Sequence, residues 1–296
     1  MKIVVTGSTG LIGTALVRSL RADGHEVRRL VRREPTGADE TRWDPAAHSI
    51  DAGALDGIDA VVHLAGVGVG DKRWSESHKK AILDSRVDGT TTIATAIAAN
   101  ADHVKTFICG SAVGFYGDRG DETLDESAKT GAGFLAEVVR QWEAATKPAS
   151  DAGVRVVNLR TGIVLSPQGG ALGKVLPIFK LGLGGKLGSG QQWMPWIAIA
   201  DEVAAIKFLL TQDSISGPVN VCAPEPVRNA EYTAALGRAL NRPAVAPVPR
   251  FALQLALGGF ADEGPLVSQR VIPRRLLDAG FDFTFIDVDS ALQSML

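Results

Sequence analysis

Residues 6 to 13 read Thr-Gly-Ser-Thr-Gly-Leu-Ile-Gly and constrain the fold more than any other segment. Gly7, Gly10 and Gly13 stand between a strand-like run, residues 2 to 6, and a helical pattern in which Ile12, Leu16 and Leu20 recur at every fourth position. At such a junction each glycine has a task. Gly7 permits the tight turn, Gly10 lets the backbone approach a pyrophosphate, and Gly13 allows the helix to pack closely on the strand. The helix N-terminus, with Ser8, Thr9, Leu11 and Ile12 around it, adds oriented N–H groups and a positive dipole end. The spacing is one residue longer than the usual G-x-G-x-x-G, and no Gly-Lys-Ser/Thr follows, which disfavours a P-loop. A plain turn between strand and helix is the competing reading. The position at residue 7 of an alternating chain favours a dinucleotide site.

Strand-like runs at 2–6, 26–31, 59–65, 104–110 and 154–160 alternate with helical stripes such as Leu83, Val87, Thr90, Ala94 and Ile97, and Leu135, Val138, Val139, Trp142 and Ala145. That alternation predicts an α/β protein with a parallel sheet. The texture changes after residue 161, where Gly169, Gly170, Gly173, Gly182, Gly184, Gly185, Gly188 and Gly190 imply loops and turns over the sheet. Helical patterning returns at 201–211, a strand-like run follows at 218–221, and a last helical segment occupies roughly 250–280. A chain of 296 residues fits two structural units or one large domain. The expected division is a nucleotide-binding domain over 1–165, completed by about 196–222, and a substrate lobe made of 166–195 and 223–296.

The cofactor's phosphate end is chosen at the end of the second strand, where an acid would take the 2′-hydroxyl of NAD. Arg32 and Arg33 stand there instead. A guanidinium fork suits a 2′-phosphate, which predicts NADP(H), against the alternative of a solvated basic strand end. The 31 basic and 33 acidic side chains nearly balance, so no footprint for nucleic acid or an anionic membrane exists, and the partner expected is a small molecule. No apolar run is long enough to span a bilayer, and two cysteines are too few for a disulfide framework; a cytoplasmic protein is expected. The five histidines show no metal spacing, and no metal site is expected.

The glycine loop, the Val61-Val62-His63-Leu64-Ala65-Gly66 strand end, the segment Gly110-Ser111-Ala112-Val113-Gly114-Phe115-Tyr116-Gly117 and Trp196-Ile197-Ala198-Ile199-Ala200-Asp201 together resemble the extended short-chain dehydrogenase/reductase superfamily. Arg42-Trp43-Asp44-Pro45, Asp71-Lys72-Arg73-Trp74, Leu181-Gly182-Leu183-Gly184-Gly185 and Gln269-Arg270-Val271-Ile272-Pro273 are similar to its atypical branch labelled "epimerase family protein". The resemblance implies a Rossmann-like doubly wound parallel sheet that binds NADP(H), with a smaller C-terminal substrate lobe; about 245–292 resemble that branch's small domain of unassigned function. It also implies that Leu64, Ala65, Gly66, Arg86 and Ile163 approach the cofactor.

The superfamily's proton relay, a Ser and a Tyr-x-x-x-Lys with a helper Asn, is absent. Its slots hold Ala112, Leu135, Val139 and Arg86, and no Tyr-x-x-x-Lys exists anywhere in the chain. Proton donors must then come from elsewhere. Tyr116, just beyond a strand end, is the first candidate, followed by Ser111 and by Lys72 in the basic loop; for Tyr116 the alternative is a packed ring with a bonded hydroxyl. Two functions stay open: an NADP(H)-dependent oxidoreductase or nucleotide-sugar-epimerase-like enzyme with a non-standard relay, and a catalytically silent dinucleotide-binding regulator, for instance one linked to cell division.

Overall fold

The computed structural model describes residues 1–296. In the first half β1 (Lys2–Thr6), α1 (Leu11–Ala22), β2 (Glu26–Val31), β3 (Glu40–Asp44), β4 (Ser49–Ile50), β5 (Ala60–His63), α2 (Glu76–Ala99) and β6 (Thr106–Ala112) follow one another. A short 3-10 turn, Val113–Tyr116, then leads to β7 (Thr123–Leu124), α3 (Phe134–Ala144), α4 (Lys147–Asp151) and β8 (Arg155–Thr161). The second half carries β9 (Ile163–Leu165), α5 (Gly170–Lys180), β10 (Trp193–Met194), β11 (Trp196–Ala198), α6 (Ile199–Thr211), β12 (Gly217–Val221) and β13 (Val227–Arg228). It ends with α7 (Asn229–Leu240), α8 (Arg250–Leu257), α9 (Phe260–Glu263), β14 (Arg270–Val271), α10 (Arg274–Asp278) and α11 (Val288–Met295).

Eight strands form one sheet in the order β12-β8-β6-β5-β1-β2-β3-β4, parallel except for the terminal β3–β4 pair. This is the doubly wound, Rossmann-like arrangement. Strand β1 explains why the sheet sits at the centre. Its apolar run is continuous because both faces are covered: Ile3 and Val5 face a core shared with α1 and α6, while Val4 faces a second core shared with α2. The strand order reverses between β1 and β5, and open α/β sheets bind ligands beyond the carboxyl ends of the strands at such a point.

Strand β3 departs from the expectation, since residues 40–44 carry no apolar alternation. Its inward positions are Trp43, whose ring meets His63 edge-on at 5.8 Å, and Glu40, buried by pairing with Arg33 and Arg29. A charge pair takes the place of an apolar side chain there. The long C-terminal helix expected over 250–280 is broken into α8, α9 and α10. Gly258 adopts φ +61°, a left-handed conformation that stops α8.

Helices α5, α7 and α11 enclose a third core around Trp196 and Tyr232. The last 50 residues do not form a separate body. Leu276, Phe281 and Phe283 lie in the sheet's own core, and β14 extends β7 in parallel. No helix is long and apolar enough to cross a membrane, and no group of three His, Cys, Asp or Glu side chains is arranged to hold a metal ion.

Candidate functional site

A cleft of about 370 Å³ opens over the carboxyl ends of β1, β5, β6 and β8, bounded on its far side by Gly170 and Ala171 of α5. The glycine loop forms one wall. Gly7 holds φ +65°, and a Cβ on it would stand 2.7 Å from the Leu64 carbonyl carbon. A Cβ on Gly13 would lie 2.2 Å from the Gly7 oxygen, so only glycine lets α1 approach the strand this closely. Gly10 differs: its Cβ would meet the Gly7 oxygen alone, at 3.3 Å, which leaves its outer side open to the cleft. The amides of Leu11, Ile12 and Gly13 have no backbone partner, and no acidic side chain occupies the first turn of α1. They are free donors at the positive end of a helix.

Strand β5 is held beside this loop by Thr6, a residue whose role the sequence did not reveal. Its hydroxyl accepts from the amides of Leu64 and Ala65 at 3.2 and 3.3 Å and lies 2.7 Å from His63 Nδ1. Burial pulls the His63 pKa down to about 3, with the nearby Arg86 charge acting in the same direction, so the ring is neutral and shares a hydrogen bond with the Thr6 hydroxyl. Leu64, Ala65 and Gly66 are thereby fixed at the cleft rim.

The paired arginines separate. Arg33 makes a two-pronged pair with Glu40 at 2.6 and 2.8 Å, which with the Thr36 amide holds that carboxyl down to about 2. Its fork is therefore turned to Glu40 and not to a phosphate, a correction to the expected pair. Arg32 is exposed at the end of β2 and joins no ion pair. Arg86 lies under Gly66: a Cβ there would be 3.4 Å from its Cζ. Its guanidinium donates to the carbonyl oxygens of Val67 and Ile82 and stacks on Trp142 at 4.9 Å, with no carboxylate partner. Burial lowers its pKa to about 10, which leaves it charged at neutral pH. Ser8 is buried, Thr9 is exposed beside it, and Ile163 lines the cleft at the start of β9.

Of the three proton-donor candidates the structure brings only Ser111 to the cleft. Tyr116 is fully buried beneath it; the hydroxyl donates to Asn220 Oδ1 at 2.7 Å and accepts from Arg160 at 3.1 Å. Burial pushes its pKa up to about 12 despite the neighbouring Arg160. The short turn after β6 folds the ring under the sheet end, so Tyr116 takes the packed, hydrogen-bonded alternative and is not an accessible donor. Lys72 is exposed on the loop after β5 and does not line the cleft. The Ser111 hydroxyl donates to Glu143 at 2.7 Å, and Arg160 grips the same carboxylate at 2.8 and 2.9 Å. Leu135 and Val139, in the relay slots, pack against Gly114.

Three further residues went unrecognised in the sequence. Trp142 lines the cleft because Gly110, where a Cβ would be 3.0 Å from its ring, leaves room for the indole. Thr161 closes β8 with its hydroxyl 3.1 Å from Glu202, a fully buried carboxyl in the first turn of α6. The signal for Thr161 lay in its place at a strand end; nothing in the pattern of residues 199–211 set Glu202 apart from a solvated helix acid.

Comparisons with known proteins agree with this architecture. The chain is 47% identical over 290 residues to Epimerase family protein MT2273 of Mycobacterium tuberculosis, covering 98% of this chain and 96% of that one. The crystal structure of human epimerase family protein SDR39U1 (isoform 2) with NADPH superposes with a TM-score of 0.93 at 36% identity, over 100% of this chain and 99% of the human one. The structure of the nucleoside-diphosphate sugar epimerase from Corynebacterium glutamicum matches at 41% identity and a TM-score of 0.83, over 100% of this chain and 58% of that one. Residues 248–295 match a domain of unknown function, DUF1731. Residues 3–222 match the family described as NAD dependent epimerase/dehydratase, and the chain belongs to that family.

Proposed function

We propose that the chain binds NADP(H) in the glycine-walled cleft and acts as an oxidoreductase or epimerase-like enzyme on a small polar substrate. It does so without the Ser and Tyr-x-x-x-Lys relay. The observation that carries this reading is the cleft itself: free amides at the start of α1, an open face on Gly10, and an unpaired Arg32 at the end of β2. The NADPH in the human relative's structure supports the choice of cofactor.

When bound, the nicotinamide supplies or removes a hydride. Gly7, Gly10 and Gly13 with the amides of Leu11 and Ile12 hold the pyrophosphate, and Arg32 with Ser8 and Thr9 holds the adenosine end. Leu64, Ala65, Gly66 and Arg86 flank the ribose side, and Ile163 walls the nicotinamide. Ser111 is the candidate donor of the original three that lies within reach of the cleft. The lobe of residues 166–195 and 223–296 covers the substrate side, and the two free, buried thiols, Cys109 and Cys222, fit a reducing cytoplasm.

A second reading, a silent dinucleotide-binding regulator, is favoured by one observation: apolar Leu135 and Val139 are packed where a Tyr and a Lys belong. The deciding experiment measures NADPH binding and then screens carbonyl compounds and nucleotide sugars for NADPH turnover. Turnover supports the enzyme. Tight NADPH binding without turnover of any compound supports the regulator.

A further inference from the structure

We propose that Glu202 and Thr161 form a proton-carrying pair beneath the cleft, Glu202 holding the proton and Thr161 passing it to the oxygen of a carbonyl substrate. The inference rests on the oxidoreductase reading above and names the chain's replacement for the missing relay.

Two carboxyls approach the cleft floor, and their surroundings are opposite. Glu143 is gripped by both prongs of Arg160 and accepts from Ser111 as well. Glu202 is fully buried, joins no ion pair, and has one oxygen on Thr161 while the other, Oε2, has no partner. A carboxylate buried in this way is costly, so the neutral acid is the favoured form. The neighbouring titratable group is the Cys222 thiol, whose pKa burial raises, with Glu126 and Glu202 itself acting in the same direction; neither Cys222 nor Glu126 offers Glu202 a positive charge. Elements α1, β6, β9 and β11, which pack against α6, bring no cation to it. Asp201, its neighbour on α6, is turned to the amides of Thr284 and Phe285. Burial raises the Glu202 pKa to about 8, against the weaker opposing effect of the Thr161 hydroxyl.

Thr161 connects this acid to the cleft, whose wall it forms. The carbonyl oxygen of a substrate that accepts a hydride from a reduced nicotinamide gains an electron pair and takes the proton of Thr161 Oγ1. Thr161 refills from Glu202, which becomes a carboxylate, and solvent protons entering the open cleft restore the acid between turnovers. Thr161 meets the substrate; Glu202 acts through it as a positioning residue and proton reserve.

The test uses the full chain with carbon-13 at the glutamate carboxyls, and NADPH with phenanthrenequinone as the carbonyl probe. One carboxyl resonance titrates near 8 in the wild type and vanishes in Glu202→Gln. Glu202→Gln and Thr161→Val reduce quinone turnover by about a hundredfold or more, with NADPH affinity within a few-fold and the alkaline fall of the wild-type rate profile abolished. Thr161→Ser restores turnover. A Glu202 resonance that titrates with the other glutamates overturns the proposal, as does unchanged turnover or an unchanged rate profile in the variants. A wild type that binds NADPH and reduces no quinone overturns the oxidoreductase reading itself, and the relay with it.

Discussion

Arg32 and Arg33 stand side by side in the bend after β2 and are engaged differently: the Arg33 guanidinium pairs with Glu40, while Arg32 is exposed and joins no ion pair. The sequence showed two cations at the correct strand end, but the carboxylate that claims one of them comes from β3, a strand without an apolar pattern. Tyr116 teaches the same lesson over a longer distance. Its place beyond β6 was legible, whereas the partner of its hydroxyl, Asn220, lies 104 residues away. Tyr116→Phe removes that bond and the one from Arg160, leaving buried polar groups short of a partner. It is expected to cost about 1–3 kcal/mol of stability with NADPH affinity unchanged, as read from denaturant melting and cofactor titration. A hundredfold loss of affinity without destabilisation would place the phenol in the site instead.

Among the elements, β1 was readable to the residue and α1 as a stripe through Ile12, Leu16 and Leu20, because a glycine loop and two covered faces leave few alternatives. Helix α3 was visible as a stripe, but its start was not, since Gly133 offers no side-chain cap. The first-turn amide of Leu135 is held by Glu263 of α9 at 2.7 Å, a cap supplied from 128 residues away. Glu263→Ala should cost about 0.5–2 kcal/mol and raise amide exchange at residues 134–137 selectively. Uniform exchange across α3 would show that the cap is dispensable. Helix α6 carries the pH dependence. The Glu202 carboxyl rises from an ordinary 4.5 to about 8 on folding, so the folded state binds the extra proton in that window. The stability this group gives is present below 4.5 and is lost as pH rises through about 8. Glu202→Gln should therefore match the wild type in acid and exceed it increasingly as pH climbs across the window, in thermal melts at several pH values. A stability difference that does not change with pH contradicts the buried neutral acid.

At the scale of the whole molecule, the C-terminal segment is bound into the sheet. Gln269 donates to the carbonyl oxygens of Val113 and Gly117, Asn220 donates to that of Ile272, and Asp201 accepts from Thr284 and Phe285. Composition and glycine density predicted a change of texture after residue 161, but not that Leu276, Phe281 and Phe283 return to the first core. Such long-range packing leaves no local periodicity. Leu276→Ala is expected to cost about 2–5 kcal/mol and to lower a single cooperative unfolding transition, followed by circular dichroism and tryptophan fluorescence together. Two separated transitions would indicate that residues 248–295 fold as an independent unit.

The central claim is that the cleft over β1 and β5 takes NADP(H) through the open face of Gly10 and the free guanidinium of Arg32. Calorimetric titration of NADPH and NADH into the wild type, Gly10→Val and Arg32→Asp tests it directly. The account predicts tighter NADPH than NADH binding in the wild type. It predicts loss of both in folded Gly10→Val, where a branched side chain meets the pyrophosphate, and a preference moved toward NADH in Arg32→Asp, each lost charge-assisted bond being worth about 1.5–3 kcal/mol. Wild-type binding of NADH equal to or tighter than NADPH, or full NADPH affinity in folded Gly10→Val, would contradict it.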